Sequence, residues 1–228
     1  MKTLITFIVL LLAGNTSYAQ LSKTFQNGTG NQYKIYFKDG GEVNLAIYVA
    51  YSDKESIALE YYLEESQVKS VRLWKYFTLK KAATGPTTIL NGYLLLPEMN
   101  GVPEIMEAKH WQGQDGLSLN NFLLNNPEQL KKIKVGEEEI TIPAGKVKAI
   151  HYRHKQANEN QQLDFWISDE AKPIGLVKLV SEGKKSDANY SIMLTSMIKN
   201  ITPTIDPKKA VPLTNKGKAI LERAINKI

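Results

Sequence analysis

From Tyr33 onward the chain alternates apolar and polar positions in short runs broken by turn residues, the period-two signature of half-buried strands. Tyr33 to Lys38 is the first such run, and Asp39-Gly40-Gly41 behind it is a hairpin turn signal. Val43, Leu45, Ile47, Val49 and Tyr51 then alternate without a break, which predicts a strand with one buried face. Ser52-Asp53-Lys54 predicts a turn, and Ile57 to Leu63 a third strand. Val71 to Leu79 and Thr88 to Leu96 are apolar-rich runs that suit strand or helix. Trp74, Tyr76 and Phe77 favour strand, Gly85-Pro86 closes the first run, and Pro97 bars a central strand from continuing.

Glu98 to Gly136 breaks the alternation. Met99, Met106, Trp111, Phe122 and Leu123 are scattered among Asn, Gln and Gly, which predicts a long connection with short helices. Ser118 can cap Leu119 to Leu124. Asn126 before Pro127 reads as an N-cap followed by proline at the first helical position, with Leu130 and Ile133 on one side.

Ile140 to Ser181 is the stretch around which the second half is organised. Pro143-Ala144-Gly145 bends the chain out of Ile140-Thr141-Ile142, and Val147 to His154 predicts a strand. Asn158-Glu159-Asn160 turns it back into Leu163 to Ser168, and Pro173-Ile174-Gly175 leads into Leu176 to Val180. Tyr190 to Lys199 is one more strand. Successive hairpins of this kind imply an antiparallel sheet. After Pro203, Pro207 and Pro212, Thr214 opens a last helix with Ile220, Leu221, Ala224, Ile225 and Ile228 at helical spacing. Its simplest role is a terminal helix docked on the sheet.

These last strands carry apolar residues on both faces. Trp166 opposes Phe165 and Ile167, Val177 and Leu179 oppose Leu176 and Val180, and Met193 and Met197 oppose Ile192 and Leu194. Two apolar faces need two covers. A packed core serves as well as a lined cavity, since both use the same residue types. Phe165, Trp166, Val177, Leu179, Met193 and Met197 are the candidate ligand-lining residues, with the methionines suited to flexible apolar chains.

The N-terminus changes the setting. Lys2, an apolar run from Phe7 to Ala13, and Ser17 and Ala19 flanking Tyr18 predict a signal peptide over residues 1–19, cleaved near Ala19. The apolar run is shorter than the about 20 residues that span a bilayer. Residues 20–228 are then one periplasmic or secreted domain, soluble or at most peripheral to a membrane. The 29 Lys and Arg against 23 Asp and Glu give +6, and removing Lys2 leaves +5. The lysines are spread along the chain, which suits a solvated surface, and no basic-aromatic motif calls for nucleic acid.

Cysteine is absent, which excludes disulfides, a thiolate nucleophile and thiolate metal ligands. His151 and His154 are the one close histidine pair, with His110 apart from them, and on a strand residues three apart face opposite sides. No metal site is expected. Nucleotide, zinc-protease and serine-hydrolase motifs are missing. Glu60, Glu64, Asp164 and Asp169 could supply an acid pair, and the sequence gives no reason to choose two. No catalytic residue and no cofactor is assigned.

Ile142-Pro143-Ala144-Gly145-Lys146-Val147, Phe165-Trp166-Ile167-Ser168 and Lys172-Pro173-Ile174-Gly175-Leu176-Val177-Lys178 resemble the periplasmic LolA/LolB-like superfamily. The resemblance covers roughly the last hundred residues and a similarly strand-rich first half. It implies an α+β fold, a curved antiparallel β-sheet forming an incomplete barrel with helices covering its concave face. It implies a lipid or other hydrophobic small molecule as partner. Arg72 and Arg153 match the carrier's cavity arginine by residue type only. The expectation is a non-enzymatic carrier or sensor of a hydrophobic ligand, with an envelope protein-interaction module as the alternative and an unrecognised hydrolase behind both.

Overall fold

The computed structural model describes residues 25–65, 72–82, 85–107, 127–156, 161–172, 174–184 and 189–225. The signal peptide expected over residues 1–19, His110, the helix expected after Ser118 and the turn expected at Asn158-Glu159-Asn160 lie outside these residues. Twelve strands form one open sheet: β1 Gly30–Phe37, β2 Glu42–Ser52, β3 Ser56–Glu65, β4 Arg72–Ala82, β5 Gly85–Leu95, β6 Glu104–Ile105, β7 Lys134–Ile142, β8 Gly145–Gln156, β9 Gln161–Ile167, β10 Leu176–Glu182, β11 Tyr190–Ile198 and β12 Val211–Pro212. Two α-helices accompany them among the described residues, α1 Pro127–Ile133 and α2 Asn215–Ile225.

The order across the sheet is β12-β6-β5-β4-β3-β2-β1-β11-β10-β9-β8-β7. All neighbours are antiparallel except β12 beside β6. Two meanders, β1 to β6 and β7 to β11, are thus joined where the first strand pairs with the eleventh. Gly30 opens β1 because the chain passes very close there: a Cβ would stand 2.4 Å from the Ile47 carbonyl oxygen and from the Tyr48 Cβ. Gly145 closes the Pro143-Ala144 bend with φ +118°, a conformation that favours glycine.

The second meander is strongly coiled. Residues of β7 come within 8 Å of β11 between Cα atoms, although four strand steps separate them. Flat strands spaced about 4.8 Å apart would hold them about 19 Å apart. The sheet still does not close, since β7 and β12 remain its two ends.

One face carries the main core. Across it Ile35, Ile192, Leu179, Phe165 and Tyr152 stand opposite one another in register, all buried, with the Tyr152 and Phe165 rings stacked at 5.2 Å. Leu130 of α1 and Leu221 of α2 belong to the same cluster, and Ile133, Leu213 and Ile220 pack against it. On the opposite, outer face a smaller cluster of Ala58, Tyr76, Leu95 and Ile205 lies over the first meander.

The predicted strands and the Pro127 and Thr214 helices appear close to their expected bounds. β7 is longer than Ile140-Thr141-Ile142 alone, because Lys134 to Glu139 is a charged edge with one neighbour and has no face to bury. Strands β6 and β12 have no sequence pattern of their own and exist through pairing with β5 and with each other. Among the described residues no helix is long and apolar enough to cross a membrane.

Candidate functional site

The first meander buries a cation. On β4, Leu73, Lys75, Phe77 and Leu79 alternate onto the core face. Lys75 stands between Tyr61 of β3 and Leu94 of β5 in register, and both are almost completely buried in the main core. Lys75 itself is 6% exposed. Among the described residues no carboxylate, carbonyl or ring partners its ammonium group. Burial alone pushes its pKa down from 10.5 to about 8.

A second group of polar side chains lies on the outer face of the second meander. His151, Trp166, Lys178, Met193 and Lys34 follow one another across β8, β9, β10, β11 and β1. Trp166 stacks on His151 with ring centroids 4.3 Å apart, and the Lys178 ammonium lies 4.8 Å from the indole centroid. The indole Nε1 donates to Glu138 Oε1 at 2.5 Å. His151 Nε2 is 2.6 Å from Asp164 Oδ1, and its Nδ1 is 3.4 Å from Glu138 Oε1. Asp164 also accepts from Arg153 Nε and Gln162 Nε2, each at 2.7 Å. Burial raises the Asp164 pKa, but the hydrogen bonds from His151, Arg153 and Gln162 outweigh it and hold the carboxyl below its ordinary value.

This His-acid pair has the components of a proton relay without the arrangement of one. Both ring nitrogens of His151 face carboxylates, so neither is turned toward a hydroxyl nucleophile. The cluster ties β7, β8, β9 and β10 together across their outer face.

Two further buried acids hold the C-terminal segment in place. Glu60 is fully buried and accepts the backbone N–H of Thr204 at 2.9 Å, that of Ile205 at 3.0 Å, and the hydroxyl of Tyr48. Burial, then that bond, pushes the Tyr48 hydroxyl pKa well up. Glu104 accepts Thr214 N at 3.0 Å and Thr214 Oγ1 at 2.6 Å, while Thr214 caps α2 by accepting from Gly217 N at 3.2 Å. Glu64 pairs with Arg72 at 2.7 Å, and Asp169 is exposed. The four acids singled out from sequence therefore stand apart from one another.

The six residues expected to line a ligand divide between places. Phe165, Val177 and Leu179 are fully buried in the main core. Trp166 and Met193 are half-buried in the outer cross-strand row. Met197 lies across from Asn31 beyond a register shift and is 47% exposed. His151 and His154 take opposite faces of β8, the first beside Trp166 and the second across from Leu163. Arg72 is taken by Glu64 and Arg153 by Asp164. Sequence reasoning passed over Lys75. The signal was present in the alternation Leu73-Lys75-Phe77-Leu79, which puts a lysine in the middle of an apolar face.

The motif residues build a hairpin. Ser168 Oγ accepts from Glu170 N at 3.1 Å, Ser168 N donates to Gly175 O at 2.8 Å, and Gly175 takes φ +82°. Asn31 Oδ1 accepts from Ile174 N at 3.2 Å and fastens this loop to β1.

No protein-family model matches the chain, and no curated protein matches it. Among solved structures, a Bacteroides fragilis protein with a YmcC-like fold is similar over 75% of this chain and 96% of its own, at 12% identity and a TM-score of 0.39. MucB is similar over 88% of this chain and 60% of its own, at 12% identity and a TM-score of 0.42. In the Pseudomonas aeruginosa MucA/MucB complex the match covers 94% of this chain and 64% of that one, at 11% identity and a TM-score of 0.46. The chain thus spans less than two thirds of the MucB chains it matches. At these scores the likeness assigns neither function nor partner.

Proposed function

We propose that residues 20–228 form a single periplasmic domain that acts, without a cofactor, as a carrier or sensor of a hydrophobic ligand with an acyl-type chain. The ligand lies against the core face of the sheet, where Phe165, Val177 and Leu179 belong to its apolar wall. The observation that carries this reading is the apolar face running across both meanders of a sheet that does not close. An unclosed, coiled sheet can part from its covering elements without breaking a strand ladder, so an apolar chain can enter there. Mass spectrometry of the purified, denatured protein should detect co-purified lipid, and the delipidated protein should take up a fluorescent fatty acid. Consistently lipid-free protein that takes up no probe would refute the reading.

A second reading rests on a different surface. Val102, Ile105 and Val211 are exposed large apolar residues gathered at the β6–β12 edge. An exposed apolar patch beside a sheet edge suits another envelope protein. Photo-crosslinking from position 105 should then capture one defined partner, and a diffuse set of products would count against it.

A further inference from the structure

We propose that Lys75 anchors the acidic head of the ligand, and that this head is a single carboxylate on a long apolar chain. The inference rests on the carrier reading and adds the chemical class of the cargo. Tyr61, Leu94, Leu73 and Phe77 surround Lys75 in register and along its own strand, and all four are core residues. A lysine placed there solely for packing is a poor choice, because a methionine or leucine fills the same space without a charge to desolvate. The lysine stem runs along the apolar wall while its ammonium group supplies three donors and one positive charge. No acid among the described residues neutralises it. With a pKa of about 8 the amine is charged at neutral pH.

The counter-charge is argued from number. One ammonium with no second cation beside it among the described residues balances a monoanion. A phosphate monoester carries nearly two charges and three acceptor oxygens, and is ordinarily met by several cations or an arginine fork. Arg72 and Arg153, the arginines considered from sequence, are held by Glu64 and Asp164. The apolar residues around Lys75 then receive the chain, so head and tail are recognised by adjacent positions of one sheet face.

The test uses delipidated protein and displacement of the neutral dye Nile red by oleate, oleyl alcohol and oleyl phosphate. Wild type should prefer oleate over oleyl alcohol by about tenfold to a hundredfold, as expected of a hydrogen-bonded charge in an apolar site. Lys75→Met should abolish that preference while still binding the alcohol, and Lys75→Arg should retain part of it. Equal binding of oleate and alcohol by wild type, unchanged in Lys75→Met, overturns the role of Lys75 and leaves the carrier reading standing. Tighter binding of oleyl phosphate than of oleate overturns the choice of carboxylate. Displacement by none of the three overturns the carrier reading and this inference with it.

Discussion

Replacing Lys75 by methionine should make the ligand-free protein more stable. Lys75 is 6% exposed, and burial brings its pKa from 10.5 to about 8. At 1.36 kcal/mol per pKa unit, the folded state carries a desolvation cost of about 3 kcal/mol that methionine, of similar volume, does not. Below pH 8 the lysine is charged in both folded and unfolded states, and the whole cost is present. Between pH 8 and 10.5 the unfolded chain holds the proton that the folded protein has released, so wild-type stability rises with pH. Above 10.5 both are neutral and the cost has gone. The advantage of Lys75→Met should therefore be largest at pH 7 and shrink toward zero through that window. For a domain of this size about 3 kcal/mol corresponds to a Tm gain of about 6 to 12 °C. Thermal unfolding of delipidated wild type and Lys75→Met, followed by circular dichroism from pH 7 to 10.5, measures the difference and cancels the titration of surface groups. A variant less stable than wild type, or a difference that does not change with pH, would refute the reasoning.

Other substitutions test the framework around this face. Gly217→Ala ordinarily stabilises a helix, but here the added Cβ would stand 2.0 Å from Glu104 Oε2 and displace the carboxylate from Thr214; the expected loss is about 1 to 3 kcal/mol in denaturant unfolding, and a gain would contradict it. Glu60→Ala leaves the N–H groups of Thr204 and Ile205 without their acceptor, at about 3 kcal/mol, and limited proteolysis should cut between Ile201 and Ala210. Protection equal to wild type would show that something else holds the segment. Asp164 has a folded pKa below its ordinary 3.8, so its contribution is present above that value and lost as pH falls below it. Wild type should therefore lose more stability than Asp164→Asn on acidification from about pH 4 to about pH 2, and parallel acid curves would remove the cluster from the account.

Strand positions were legible wherever a strand has a face to bury. Val43 to Val49 alternates because its odd positions meet the core, and that run belongs to β2; Tyr51, expected on the same face, lies past a register shift and is 46% exposed. Lys134 to Glu139 shows nothing of the kind, because an edge strand in solvent gains nothing from alternation. Turn chemistry was readable for the same local reason: Gly40 at φ +88° and Gly145 at φ +118° adopt conformations that favour glycine. The acids were visible only as a set of possibilities. What separates Glu60, buried under Thr204, from exposed Asp169 is a contact made across more than a hundred residues of chain. Trp166 and Phe165 were equally plausible lining residues, and only the pairing of β9 with β8 and β10 puts one beside Lys178 and the other in the core. Lys75 was the exception: local alternation already marked it, and its type drew attention away.

The pairing of β1 with β11 sets Gly30 beside Ile198. A chain that emerges from its N-terminus first, from a ribosome or through a membrane pore, presents β1 early and must leave one of its edges unfilled until nearly the whole sequence has followed. The β2 to β6 meander can assemble meanwhile from near neighbours, but its union with β7 to β11 waits on one long closure, whose entropy favours slow completion. Until then an unpaired strand with Tyr33 and Ile35 on its apolar side is open to any extended peptide nearby. The join that makes the two meanders one sheet is thus also the step at which a holding factor or an aggregating neighbour has its longest opportunity.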